Sequence, residues 1–316
     1  IDLIVRDSED NQLTVEELGS GQISGVISGN GAFIKEGSGT LTLSGANTYA
    51  GNTNVKAGVL QLGVSSVVAN SAITSSALGL GSTTVASGAA LDLAGYSLAN
   101  ALSVIGSGIS NSGALYNSSA STTAADVSGA ISLAGDTLIQ TKGALTLSGS
   151  IDAASAGGAS ALTIGNSPGG SGVITLAGAI GSGNAITSLT ASDVLTLAAS
   201  ASTSGDQTFQ NAVTLGADVT LTSTSGNISF NDALASGGGS ARGLTIDAQS
   251  TSSGQGSISF SGLVGSGGNG ALGQVDLTGN AVTIEQAFTS SAAVEISNAG
   301  LLTVADDATI TAAGGF

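Results

Sequence analysis

Few side chains in this sequence could do chemistry, and the first question is whether any are arranged to do it. No His and no Cys occurs among the 316 residues, so Ser-His-Asp and Cys-His nucleophile arrangements are impossible, as are thiolate zinc sites. Gly165-Asn166-Ser167-Pro168-Gly169 has the spacing of a nucleophile elbow. An elbow needs a strand-turn-helix setting and a base, and neither is suggested, so Ser167 reads as part of a turn. Gly265-Ser266-Gly267-Gly268-Asn269-Gly270 has the glycine spacing of a dinucleotide loop. The next segment, Gln274-Val275-Asp276-Leu277, alternates like a strand and is not the helix whose N-terminus would receive a pyrophosphate. With 50 Gly in the chain, matches of both kinds are what chance supplies.

Acidic chemistry is the remaining possibility. Gly169-Gly170-Ser171-Gly172 and Gly267-Gly268-Asn269-Gly270 have the glycines of a calcium-binding β-roll repeat and lack its Asp, and Asp306-Asp307 reads as a solvated turn. In a stacked fold, paired carboxylates could assemble from Asp206 with Asp218 or Asp232, as a β-helical polysaccharide-degrading enzyme would require. Aromatic sugar platforms are scarce, however, with Tyr49, Tyr96 and Tyr116 the only tyrosines. The sequence therefore assigns no catalytic, cofactor-binding or metal-binding residue, and the expectation is a protein that is not an enzyme and needs no cofactor.

Charge narrows the partners. Five cations (Arg6, Lys35, Lys56, Lys142 and Arg242) stand isolated against 21 acidic residues, for a net charge of −16. Without a basic stripe, binding to nucleic acid or to anionic lipid is not expected. No apolar run is long enough for a spanning helix, so this segment should not insert in a membrane. Asp2, Asp7, Glu9, Asp10, Glu16 and Glu17 set residues 1–20 apart as an acidic cap or assembly segment preceding a single domain over 21–316. No signal peptide is visible, and the start at Ile1 with no Met anywhere suggests a processed or natively sourced product.

The elements that would have to position any site are all of one kind. An apolar-polar-apolar unit recurs: Leu41-Thr42-Leu43, Leu60-Gln61-Leu62, Leu91-Asp92-Leu93, Ile131-Ser132-Leu133, Leu145-Thr146-Leu147, and on to Leu302-Thr303-Val304. Period-two alternation with Thr or Ser in the middle marks short strands, and Gly-Ser and Gly-Asn pairs mark the turns between them. The best helix candidate, Thr14 to Leu18, is too short to stand. Triplets recur every 12 to 21 residues from Ile131 onward. The repetition over most of the chain, with modest aliphatic interiors and few aromatic anchors, predicts an all-β solenoid of some 15 to 17 coils of about 18 residues.

Residues 24–63 closely resemble the passenger-associated repeat of bacterial autotransporters. The matching stretches are Ile27-Ser28-Gly29, Lys35-Glu36-Gly37, Gly39 to Gly45, Asn47-Thr48-Tyr49 and Gly58-Val59-Leu60-Gln61-Leu62-Gly63. Residues 205–300, with Gly205-Asp206-Gln207-Thr208-Phe209 and Ala212 to Asp218, are similar to the repeats of filamentous-haemagglutinin-like surface proteins. The resemblance implies a right-handed parallel β-helix at the bacterial cell surface, extracellular, serving adhesion, aggregation or coating. Its partners would be a host or neighbouring cell surface, a polysaccharide, or further copies joined head to tail through open strand edges.

Overall fold

The computed structural model describes residues 3–8, 12–248, 256–265 and 270–316. The apolar-polar-apolar triplets of the sequence lie on strands, with Leu93 one residue past the end of Ala90–Asp92, and the fold is a parallel β-solenoid of about 14 turns. Helix is confined, among the described residues, to one 3-10 turn at Ile109–Asn111. The stretch Thr14 to Leu18 belongs to the strand Gln12–Glu17. By its contacts the chain divides into two compact units, 1–155 with 166–172 and 156–165 with 173–316.

In the first unit one face stacks Gln12–Glu17, Ala32–Glu36, Thr53–Val55, Thr83–Val85, Leu102–Gly106, the start of Ile131–Thr141, and Ile151–Ala153. A second face stacks Ser20–Ile23, Thr40–Leu43, Val59–Leu62, Ala90–Asp92, Leu115–Asn117 and the end of Ile131–Thr141. Ala125–Val127 and Leu145–Leu147 lie on a third face. Pairing sets Gln12 against Ala32, Phe33 against Thr53, Thr53 against Thr83 and Leu102 against Ile131. A coil is therefore about 20 residues, or about 30 where it carries an excursion, rather than the 18 that triplet spacing predicts.

Among the described residues two strand pairings break the parallel rule, besides the isolated antiparallel bridge of Asn47 with Ser76. Leu3–Ser8 runs antiparallel along Gln12–Glu17 and occupies its outer edge. Val67–Ala69 and Ala72–Ser75 form a hairpin that leaves the solenoid from a 30-residue coil. Its turn residues Asn70 and Ser71 have φ of 52° and 61°, the left-handed pair that matches the twist of a two-residue hairpin loop.

The second unit repeats the plan. One face stacks Ala161–Asn166, Ser188–Ala191, Gln207–Phe209, Ile228–Phe230, Ser257–Phe260, Ala281–Ile284 and Leu302–Val304. A second stacks Ile174–Leu176, Leu195–Leu197, Val213–Leu215 and Leu234–Ser236, and a third stacks Ala201–Thr203, Val219–Ser223, Leu244–Asp247, Val275–Gly279 and Val294–Asn298.

In triplets such as Leu145-Thr146-Leu147, Leu195-Thr196-Leu197 and Val213-Thr214-Leu215 burial follows the pleat: the aliphatic positions are buried, and the central Thr is partly exposed. Each buried Leu, Ile or Val contributes about 1.5–3 kcal/mol relative to exposure. The few aromatics are not scattered. Phe209, Phe230 and Phe260 are register neighbours whose rings stack at 4.7 and 5.3 Å, tilted by only 12° and 8°. Phe288 enters from a different strand, Phe288–Ser290, and meets Phe260 edge-on at 5.3 Å and 84°. All four are buried. Phe230, with a near-parallel ring stacked on each face where Phe260 has one stacked and one edge-on, should be the least replaceable: Phe230→Ala is expected to cost about 3–5 kcal/mol, read as a lowered urea midpoint, with Phe230→Leu costing distinctly less.

Candidate functional site

The residues that the sequence singles out for chemistry are placed apart. Ser167 opens a turn closed by Gly170 N–H donating to its carbonyl at 2.8 Å, with Gly169 at φ 77°, and its hydroxyl reaches the Thr141 carbonyl at 3.3 Å. That is a turn with Pro168 and a left-handed Gly in their favoured places. Most of Gly265–Gly270, and with it the second β-roll-like glycine run, lies outside the described residues.

Asp206, Asp218 and Asp232 occupy three different corners of the coil. Asp206 accepts the Asn227 N–H at 2.7 Å, Asp218 the Gly243 N–H at 2.9 Å, and Asp232 the Ala233 N–H at 2.7 Å. They cap main chain and do not face one another as an acid-base pair. Asp306 and Asp307 lie in an exposed tight turn. Among the described residues no three acidic side chains gather as a metal ligand set. Tyr49 is buried, Tyr96 sits exposed at a corner, and Tyr116 lies half-buried on the second face, so they form no common platform.

What the structure does concentrate is buried polarity in the coils around residues 33–62. Facing the interior, Val15, Lys35, Val55 and Val85 form one column. A lysine in a valine column needs partners for its ammonium, and it finds them at the corner. Nζ donates to the carbonyls of Glu36 at 2.7 Å, Gly37 at 2.8 Å and Ala57 at 3.1 Å. Gly58, at φ 70°, makes the room, because a methyl there would press on the Gly37 and Gly39 carbonyls and stand 2.7 Å from Nζ. Glu17 holds the same corner one coil earlier, fully buried, and accepts the Gly19 N–H at 2.9 Å. Burial pulls the Lys35 ammonium down to about 8, against the opposing charge of Glu17.

A second cluster staples successive coils at another corner. Asn47 accepts the Ile27 N–H at 2.8 Å and donates to the Ala77 carbonyl at 2.7 Å, so one buried amide spans three coils. Ser76 donates to Asn100 at 2.7 Å, and Asn100 donates on to the carbonyls of Gly79 and Gly81 at 3.0 and 2.8 Å. Tyr49 packs on Phe33 at 6.0 Å, and its hydroxyl meets Thr53 Oγ1 at 2.5 Å. Since Thr53 gives its proton to the Leu78 carbonyl at 2.9 Å, Tyr49 is the donor of that pair. Phe33, Tyr49, Gln12 and the 27–31 corner line a cavity of about 320 Å³ that has no charged group in its wall.

Residues 33–62, which contain Lys35, Asn47, Tyr49, Thr53 and Gly58, match the family model described as the passenger-associated-transport-repeat. The chain carries a passenger repeat. That repeat, set in a parallel β-solenoid, fits an autotransporter passenger-like protein of the secreted or surface class. No curated protein and no solved structure gives a significant match. No helix among the described residues is long and apolar enough to cross a membrane.

In this chain, several polar residues of the matched segment therefore face the interior. In the sequence, Lys35-Glu36-Gly37 and Asn47-Thr48-Tyr49 stand out as matching segments, but nothing local to them shows that these side chains point inward. The available signal was an isolated Lys at an alternation position where neighbouring coils carry Val.

The Lys35 corner gives a signed pH dependence. Between about 8 and the unfolded value of 10.5 the unfolded chain holds a proton that the folded chain has released, so stability rises with pH in that window. Burial raises the Tyr49 phenol, which removes stability above its unfolded value of 10.0. Urea midpoints should therefore climb by the equivalent of about 1–2 kcal/mol from pH 8 to pH 10. Lys35→Met should abolish the climb, and a slope that survives this substitution assigns it to another group. Gly58→Ala combines a left-handed φ with clashes against the Gly37 and Gly39 carbonyls and Nζ and should cost about 2 kcal/mol or more, seen in the same measurement.

Proposed function

We propose that this chain is part of the passenger of a bacterial surface protein, a non-catalytic solenoid that holds adhesive elements away from the cell. The observation that carries the reading is the passenger repeat embedded in continuous parallel coils. Non-catalysis is supported by the absence of His and Cys and by carboxylates that serve as main-chain caps.

Adhesion is assigned to the hairpin just beyond the repeat. The 30-residue offset between Thr53 and Thr83, against 20 in the neighbouring coils, leaves ten residues that stacking does not require. Those residues expose Val67 by 51% and Val68 by 52%. No charged residue occurs from Ala57 to Leu91, so the hairpin is a neutral apolar projection on a strongly acidic chain. Its base is anchored by Ser66 and Ser76, whose hydroxyls bond each other at 3.1 Å and both reach Asn100. A rigid foot and an exposed β-branched tip suit contact with a protein surface.

Head-to-tail joining of copies is the less favoured arrangement. The outer edge of Gln12–Glu17 is taken by the antiparallel Leu3–Ser8, which leaves Ser20–Ile23, paired on one side with Thr40–Leu43, as the edge open to a second copy at that end.

Beads coated with the purified chain and incubated with epithelial cells test the reading. Val67→Glu with Val68→Glu changes only exposed positions and should leave the circular dichroism and urea midpoint unchanged. Bead attachment should fall by about tenfold or more, the scale of losing one or two interface anchors. Unchanged attachment would remove the hairpin from the adhesive surface, and absence of attachment by the parent chain would remove adhesion itself.

A further inference from the structure

One exposed corner carries a reactive main-chain arrangement that the surface role does not use. The chain bends through 29–31 as it passes from the first coil into the coil that begins the passenger repeat. Asn30 is exposed there and is followed by Gly31, whose lack of a side chain leaves its nitrogen open to approach. Among the described residues, neither the Asn30 amide nor the Gly31 N–H is held by a hydrogen bond. Buried asparagines are in a different state: Asn47, Asn100 and Asn117 have their amides committed, and Thr, Ala and Ser come after them. Asn30-Gly31 is the one Asn-Gly pair whose two residues are both described.

We propose that Asn30-Gly31 is a self-modification site at which Asn30 deamidates through a succinimide. The Gly31 main-chain nitrogen gives its proton to solvent base and bonds to Cγ of Asn30. The Cγ–N bond of the side-chain amide breaks, and ammonia leaves with a proton from solvent. One water then opens the five-membered ring, its hydroxyl going to one of the two carbonyl carbons and its proton to the ring nitrogen. The products are aspartate and isoaspartate, with one water consumed and one ammonia released. No oxidant, reductant or enzyme is needed.

The position gives the change a structural effect. Either product places a negative charge at the wall of the uncharged cavity beside Gln12, Phe33 and Tyr49. Isoaspartate also lengthens the main chain between two tight contacts with the next coil. On one side the Gly29 carbonyl accepts the Ala50 N–H at 2.8 Å. On the other the Gly31 carbonyl lies so close to Gly51 that a methyl group there would overlap it. An extra main-chain carbon cannot preserve both contacts, so ageing at this corner loosens the first coil from the passenger repeat.

The test incubates the folded full chain in ¹⁸O-labelled water near neutral pH and at physiological temperature. It is then unfolded and cut with trypsin, and the peptide spanning residues 7–35 is sequenced by tandem mass spectrometry. Label should appear at Asn30 and not at Asn11 of the same peptide, and isoaspartyl methyltransferase should modify the labelled product. Asn30→Gln, an exposed substitution, should lower label at that position by about tenfold or more. Gly31→Ala keeps the asparagine and should slow conversion in the same direction. A folded chain that stays unlabelled at Asn30 while a synthetic peptide of residues 27–35 converts would overturn the proposal. So would label spread evenly over the other asparagines.

Discussion

Main-chain hydrogen bonds between successive coils hold neighbouring strands about 4.8 Å apart, and the rest of the structure answers to that spacing. On the flat faces it is easily met, because side chains stand away from the sheet. At the corners the backbone turns across the stacking direction, and one coil's carbonyl points at the next coil's α-carbon. A methyl at Gly39 would overlap the Gly19 carbonyl, and one at Gly149 would overlap the Gly129 carbonyl. The abundance of glycine is thus a consequence of stacking, and much of it lies where coils touch rather than where a turn needs a left-handed residue.

The same corners bury carbonyls that water cannot reach, and these need donors. A recurrent answer is a polar side chain at the inward end of a strand that donates to the carbonyl two residues on. Thr141 does this for Gly143, Thr203 for Gly205 and Ser290 for Ala292. Lys35 is the long form of the device, since its ammonium reaches Gly37 two residues on and also Glu36 and Ala57. A hydroxyl supplies one donor and an ammonium three, so lysine closes a corner at which three carbonyls converge. The cost is a buried cation, which shows in its lowered proton affinity and in the glycine that makes space for it.

This division explains what was legible in the sequence. Strand positions could be read because alternation along a triplet such as Leu145-Thr146-Leu147 reports directly on burial, and most triplets follow it, while Leu91-Asp92-Leu93 buries its centre and Leu302-Thr303-Val304 is left largely exposed. Coil length was harder to read. Triplets on different faces look alike, so their spacing mixes steps around a coil with steps between coils, and excursions such as Val67–Ser75 add residues without adding a coil. Inward polar residues were invisible for a related reason. Thr53 and Thr83 face the core beneath Phe33, whereas Thr42 faces outward, and only pairing register separates the two. Asp92 could have been noticed, because Leu91-Asp92-Leu93 puts a carboxylate where Thr is usual. In the fold it is buried and accepts from Gln61, Ala94 and twice from Ser118.

That last network bears on where recognition can reside. Along the second face, Thr42 donates to Gln61, Gln61 to Asp92, and Ser118 to Asp92, at 2.7–2.9 Å. Groups already satisfied by their neighbours have little to gain from a ligand, because binding would exchange existing hydrogen bonds for equivalent ones. The requirement that makes the solenoid stable, that each coil complete the polar groups of the next, therefore leaves this flat face chemically quiet. Residues free of that requirement are those that stacking does not use, in the coils that run to 30 residues instead of 20. On the adhesive role proposed above, specificity for a partner falls to the excursions, and the regular coils serve to hold them.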